Sequence, residues 1–185
     1  EVSLVLNNVR GNADPLRALA IAPIGEAWKG VRAVNALLRA LIGADASEVV
    51  ADWEHRPPRA IASFLLGEAA FRRIHPGEAL EQYRHAVAAD SSFAMAAIRG
   101  AQAASWSHHN AEAAALIEAA LQQPLAPRHA AFARGFQAYL EGRADSAIHS
   151  FRAALAADAG MAVAWQQLGE VWVHLLPEAG APDDS

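Results

Sequence analysis

The sequence predicts a mainly α-helical chain in which a short β-hairpin and one helix precede a stack of helical repeats. Three observations carry that prediction. Of the 185 residues, 47 are Ala, the strongest helix former, while aromatic residues supply only 7%. Apolar residues recur at helical spacing, as in Trp28, Val31, Val34, Leu37, Leu38, Leu41 and Ile42. Beyond Arg59 the chain resembles itself at a spacing of 34 residues. A hydrophobic content of 54% with a net charge of -5 excludes a disordered chain, and the shortage of aromatic and β-branched residues argues against a β-sandwich.

The elements follow in order. Val2 to Val9 and Leu16 to Ile21 are partly alternating apolar runs, separated by the turn-forming cluster Arg10-Gly11-Asn12-Ala13-Asp14-Pro15, and so read as a β-hairpin. A hairpin is marginal by itself and needs a helix or a larger sheet to pack on. Glu26 to Ile42 reads as an amphipathic helix, with Gly43 where a C-terminal cap belongs. Asp45 and Glu48 form a capping box that would open a short helix, and Pro57-Pro58 ends it in a linker. The organisation expected is therefore residues 1–58 as hairpin, helix and linker, read as the end of a truncated α/β domain, and residues 59–185 as the repeat array. The first residue, Glu1, is not Met, which reads as a piece of a longer protein.

Stepping by 34 aligns Gly67, Ala101, Gly135 and Gly169, then Ala79, Ala113 and Ala147, then Tyr83, Ile117 and Phe151, then Ala86, Ala120 and Ala154. With so much Ala, a three-fold Ala match arises by chance in roughly 0.02 of columns, so the small-residue column at Gly67 and the large apolar column at Tyr83 carry the register. Trp165-Gln166-Gln167-Leu168-Gly169-Glu170-Val171-Trp172 and the Ala79-Tyr83-Ala86 pattern resemble the tetratricopeptide repeat (TPR). That resemblance implies three repeats and a final helix in a right-handed α-α superhelix, with Trp165 and Trp172 filling packing positions. The chain departs from the pattern where Ser91 and Ala159 stand near the usual Pro, and where Ala97, Gly100 and Ala104 replace larger residues in the second repeat. A looser resemblance, through hairpin, helix and Ile61 to Arg73, is to the C-terminal TPR region of bacterial serine/threonine kinase or adenylate cyclase type regulators.

The TPR resemblance also implies a concave groove lined by the first helices. Its partner-binding positions fall on Phe64, Phe71 and Arg72, on Met95, Ile98, Gln102 and Trp106, on His129, Phe132, Phe136 and Tyr139, and on Gln166 and Glu170. Phe64, Ile98 and Phe132 stand where the family's clamp for C-terminal carboxylates has its cation, so a carboxylate clamp is rejected. An aromatic and Met-lined trough suits an apolar peptide or helix.

Catalytic chemistry finds no footing. Without Cys there are no disulfides, thiolate nucleophiles, iron–sulfur clusters or Cys-based zinc sites. None of the eight His forms the i, i+3 or i, i+4 pair that places two metal ligands on one helical face; His75 and His109 read as solvated turn residues. Ser105 and Ser107 near His108 read as caps, and Gly11, Gly25, Gly30 and Gly43 are too scattered to cradle phosphate. No cofactor is expected. Up to Arg59 the chain has seven acidic and seven basic residues, and after it 13 acidic and eight basic, which disfavours nucleic acid. No apolar run approaches the ~20 residues of a membrane span. The ratio of 14 Arg to one Lys suggests a GC-rich bacterial source.

The expected function is accordingly non-enzymatic: a protein-interaction or scaffold module of a bacterial regulatory protein, with a protein or peptide as partner. Self-association, with the groove filled by this chain or a second copy, and sensing of a small apolar ligand are the competing readings. The compartment is not fixed; cytoplasm is preferred, with periplasm the alternative for a membrane-anchored parent.

Overall fold

The computed structural model describes residues 2–6, 16–20 and 56–176. The chain forms two compact units, Glu1–Ile61 and Ala62–Ser185. In the first, β1 (Val2–Leu6) and β2 (Leu16–Ala20) pair antiparallel, with Val2 opposite Ala20, Leu4 opposite Ala18 and Leu6 opposite Leu16. The expected turn at Arg10 to Pro15, the Glu26 to Ile42 helix and the Asp45 to Glu54 segment lie outside the described residues.

Among the described residues seven helices follow: α1 (Pro58–Arg72), α2 (Pro76–Ala89), α3 (Ala94–Trp106), α4 (Asn110–Leu121), α5 (Pro127–Leu140), α6 (Ala144–Ala157) and α7 (Ala162–His174). Pro58, Pro76 and Pro127 each open a helix, where a missing N–H costs nothing and the fixed φ is already helical. Pro58, expected in the linker, is thus a helix start.

The 34-residue period is written into the backbone. Within each repeat the turn has one residue at positive φ: Ile74 at 60°, His108 at 61° and Gly142 at 73°. At each turn the next residue's N–H reaches back five positions, His75 to Ala70 O (3.1 Å), His109 to Ala104 O (2.8 Å) and Arg143 to Ala138 O (2.9 Å). These bonds satisfy carbonyls that the helix end leaves open. Only Gly142 adopts this conformation without steric cost; Ile74, being β-branched, is strained there. Between repeats a different device operates. Asp90 Oδ1 accepts from Ser92 N (3.0 Å) and Ser92 Oγ (2.6 Å), and Asp158 Oδ1 accepts from Gly160 N (3.0 Å). These Asp-centred turns redirect the chain where the usual Pro is missing.

Helix pairing rests on the small-against-large columns. A Cβ added at Gly67 would lie 2.7 Å from the Tyr83 ring, and one at Gly135 would lie 2.7 Å from the Phe151 ring. In the second repeat the pair is Ala101 and Ile117, both fully buried. The added methyl on one helix is offset by the loss of a ring on the other, as close packing requires. Ala79, Ala86, Ala113, Ala120, Ala147 and Ala154 are all fully buried beside these contacts. One continuous hydrophobic cluster then runs from Ala94 to Val171. Across the second helices, Arg84 grips Glu112 through Nε (2.7 Å) and Nη2 (2.6 Å), and lowers that carboxyl's pKa.

The fourth position of the column differs. A Cβ at Gly169 would meet nothing within 4 Å, and Trp165 and Trp172 are 59% and 58% exposed. This corrects the expectation that these Trp fill packing positions. Among the described residues no helix follows α7.

The contrast yields a paired prediction. Gly135→Ala should lower stability by about 1–3 kcal/mol through overpacking against Phe151, whereas Gly169→Ala should raise it by about 1 kcal/mol through helix propensity alone. Thermal denaturation of the two variants checks this; equal effects would show that column position does not govern packing.

Candidate functional site

The structure distributes the expected groove residues over three settings. Ile98, Phe132 and Phe136 are 1% exposed and belong to the hydrophobic cluster, and Phe64 is buried against Tyr83 (5.9 Å between ring centroids) and Phe93 (5.0 Å). Gln102 is buried as well. These five are a correction to the expectation of an open apolar surface. The small residues Ala94, Ala97, Ala101, Ala131 and Ala133 in the same cluster leave space that the larger side chains fill. Phe132 shows this directly, packing on Phe136 (6.3 Å) and Phe151 (5.5 Å). Arg72 and Gln166 are exposed, while Phe71, Met95, Trp106, His129, Tyr139 and Glu170 are half-buried.

A polar network crosses the first two repeats. Glu68 on α1 accepts from the Tyr83 hydroxyl on α2 (2.6 Å) and from Arg99 on α3, through Nε (2.6 Å) and Nη2 (3.2 Å). Arg99 Nη1 donates to Gln102 Oε1 (2.7 Å), which satisfies that buried amide oxygen. The guanidinium also sits 4.5 Å above the Phe71 ring, and Phe71 packs at 4.9 Å on Trp106. With the Arg99 side chain 11% and the Glu68 side chain 21% exposed, this is a largely desolvated ion pair held by hydrogen bonds on both sides. Arg99 was absent from the sequence-based set. Its signal was that it is the only charged residue in α3.

Four of the expected residues meet at one place. Trp106 from α3, Phe136 and Tyr139 from α5 and Glu170 from α7 line a cavity of about 400 Å³. Ser105, His108, Asn110 and Leu140 share the wall, as do Gln167, His174 and Leu175, none of which the repeat register singled out. The reason is geometric: the cavity opens at the C-terminal ends of the first helices, where residues of the adjoining turns come into reach. Among the described residues no Lys or Arg lines it. Gln167 is 1% exposed, and its Oε1 has no hydrogen-bond partner. Glu170 Oε2 lies 3.2 Å from His174 Nε2. Burial, and secondarily the Glu170 charge, pushes the Tyr139 pKa up. Among the described residues no group of three or more His, Asp or Glu is placed to hold a metal ion, and no helix is long and apolar enough to cross a membrane.

With the geometry in place, the helical array has the tetratricopeptide-repeat fold. Two solved structures share it: the first TPR domain of Spaghetti (RPAP3) bound to the HSP90 peptide SRMEEVD, and the first TPR domain of human RPAP3. The former is 18% identical, with 64% of this chain covering 95% of that one; the latter is 17% identical, with 62% covering 91%. Both superpose with a TM-score of 0.50. No family model matches the chain, and no curated protein matches it in sequence.

The two tyrosines of the chain make the site's environment measurable. Burial, opposed by Arg99 and reinforced by the hydrogen bond to Glu68, raises the Tyr83 pKa well above its ordinary 10.0, and Tyr139 moves the same way. A raised folded-state pKa contributes stability that is fully present below the unfolded value of about 10 and is lost as pH rises through the folded one. Both phenols should therefore be more than half protonated at pH 10.0 in the folded chain, with most tyrosinate absorbance appearing at higher pH and alongside loss of helical circular dichroism. Half-ionisation of a tyrosine at pH 10.0 in the folded protein would contradict the burial described.

Proposed function

We propose that the helical array is a non-enzymatic protein-interaction module that seats a peptide or helix of a partner protein at the cavity between α3, α5 and α7. The observation that carries this reading is the convergence of first helices from three successive repeats on one cavity with Trp106, Phe136 and Tyr139 in its walls. Rigid aromatic walls on a preformed scaffold favour side-chain capture, because little conformational entropy is lost on binding. The Spaghetti domain, which has the same fold, is bound to a peptide. Its peptide is acidic, whereas among the described residues no Lys or Arg lines this cavity to pair with a carboxylate, which favours a ligand of another kind.

The module we have in mind is residues 59–185, with residues 1–58 belonging to a separate domain of a bacterial regulatory protein. The hairpin, the 14-to-one excess of Arg over Lys and the looser sequence resemblance support that setting.

A second reading, self-association, is favoured by one observation: the open notch at Gly169 flanked by exposed Trp165 and Trp172, with Val173 73% exposed beside them. An apolar face of that kind on a helix end of the array is what a second copy would cover.

Both readings have direct tests. Peptides selected by the intact chain from a random display library should bind Trp106→Ala and Tyr139→Ala on the order of ten-fold more weakly, with helical circular dichroism retained. Failure to enrich any peptide, or unchanged affinity in both variants, would remove the cavity as the docking site. For self-association, sedimentation velocity over a wide concentration range should show a dimer that Trp172→Glu abolishes, and a monomer at every concentration would exclude it.

A further inference from the structure

The cavity's own chemistry specifies which side chain it takes. We infer that it is a socket for a basic side chain, the guanidinium of Arg or the ammonium of Lys, presented by a partner peptide. The inference rests on the reading of this cavity as the docking site and adds the class of residue that anchors there.

Three features of the wall converge. Gln167 is 1% exposed, yet its Oε1 has no hydrogen-bond partner, and a buried acceptor left unpaired is a standing cost that a donor would remove. The outer amide torsion of Gln is broad, so Oε1 can turn toward a donor without leaving a rotamer well. Glu170, one helical turn on from Gln167, adds a half-buried carboxylate; a single contact to His174 at 3.2 Å leaves most of its acceptor sites open. Trp106, Phe136 and Tyr139 make the wall aromatic, the kind of surface that attracts a cation and covers the apolar stem that carries it.

What is missing points the same way. Among the described residues no Lys or Arg lines the cavity, which leaves His174 as the group that shares the Glu170 carboxylate. The arrangement of Glu68, Phe71, Arg99 and Gln102 in the first two repeats shows the same kinds of group, a carboxylate, an amide oxygen and an aromatic face, already holding a guanidinium. There Arg99 bonds Glu68 and Gln102 and lies over Phe71. In the cavity, Glu170, Gln167 and the aromatic wall repeat that set without the guanidinium. The cavity thus gathers, without a fixed cation, the residue types that hold a guanidinium elsewhere in the array.

Butylguanidinium and butylammonium are suitable probes of the intact chain, with butyrate as the anionic control, followed by NMR shifts of the Trp106 indole N–H and the Gln167 side-chain amide. Saturable shifts with the two cations and none with butyrate are expected. Glu170→Gln should weaken cation binding on the order of ten-fold. Gln167→Leu should raise the melting temperature while lowering cation binding several-fold, a combination that a purely structural glutamine would not give. Equal shifts with butyrate, or cation binding unaffected by Glu170→Gln, would overturn the inference. Peptide selection separates it from the reading beneath: enriched peptides lacking Arg and Lys that still require Trp106 would keep the docking site and overturn the basic anchor. Cation binding at Glu170 with no peptide enriched would uphold the socket and overturn the peptide reading.

Discussion

The array depends on one close approach, repeated: the backbone of a first helix lying directly against a large side chain of the second. At Gly67 and Gly135 the facing ring leaves no room for even a methyl group. This contact sets the distance between the paired helices, and that distance in turn decides which residues are core. Where the ring becomes Ile117, the glycine becomes Ala101, so the constraint acts on the sum of the two volumes and not on either residue. The flanking alanines follow from it, because any larger side chain beside so short an approach would force the helices apart.

That constraint explains what could be read from the amino-acid order and what could not. The period was legible because each repeat must satisfy the same pair volume and the same turn, and both leave residues 34 apart alike. The turn itself was less legible. Ile74 and His108 occupy a backbone conformation that Gly142 adopts freely, and nothing in their chemistry announces it. The helix from Ala144 to Ala157 shows the opposite case, with Ala147, Phe151 and Ala154 marking its buried face in plain sequence. Repeat two departs most from the motif, yet Ala97, Gly100, Ala101 and Ala104 of its first helix are all buried, as are Ala113, Ile117 and Ala120 of its second.

The binding positions fared differently for a physical reason. Family register says which way a side chain points, but exposure depends on how much volume lies in front of it. Phe132 and Phe136 hold groove positions in the register, yet both are buried in the cluster that includes Ala131, Ala133 and Phe151. Tyr139 and Glu170 lie nearer the ends of their helices, where the following turn diverges, and there a cavity remains. Its polar members, Gln167 and His174, could not be inferred from a repeat consensus because they owe their place to three helices converging from positions far apart in the chain. Arg99 was hidden for a similar reason: its meaning is set by Glu68, 31 residues earlier.

The same logic makes Glu68 and Arg99 more than a local ion pair. A largely desolvated pair is rarely a net source of stability, since the cost of removing two charges from water offsets their attraction. Here the pair carries geometry. Glu68 fixes the Tyr83 hydroxyl, whose ring fills the Gly67 approach, and Arg99 fixes Gln102 while supporting Phe71 beneath Trp106. Trp106 is itself a wall of the cavity. A chain of direct contacts therefore runs from the helix-pairing contact of the first repeat to the cavity wall, so that the interaction which spaces the helices also positions the aromatic surface on which a ligand would rest.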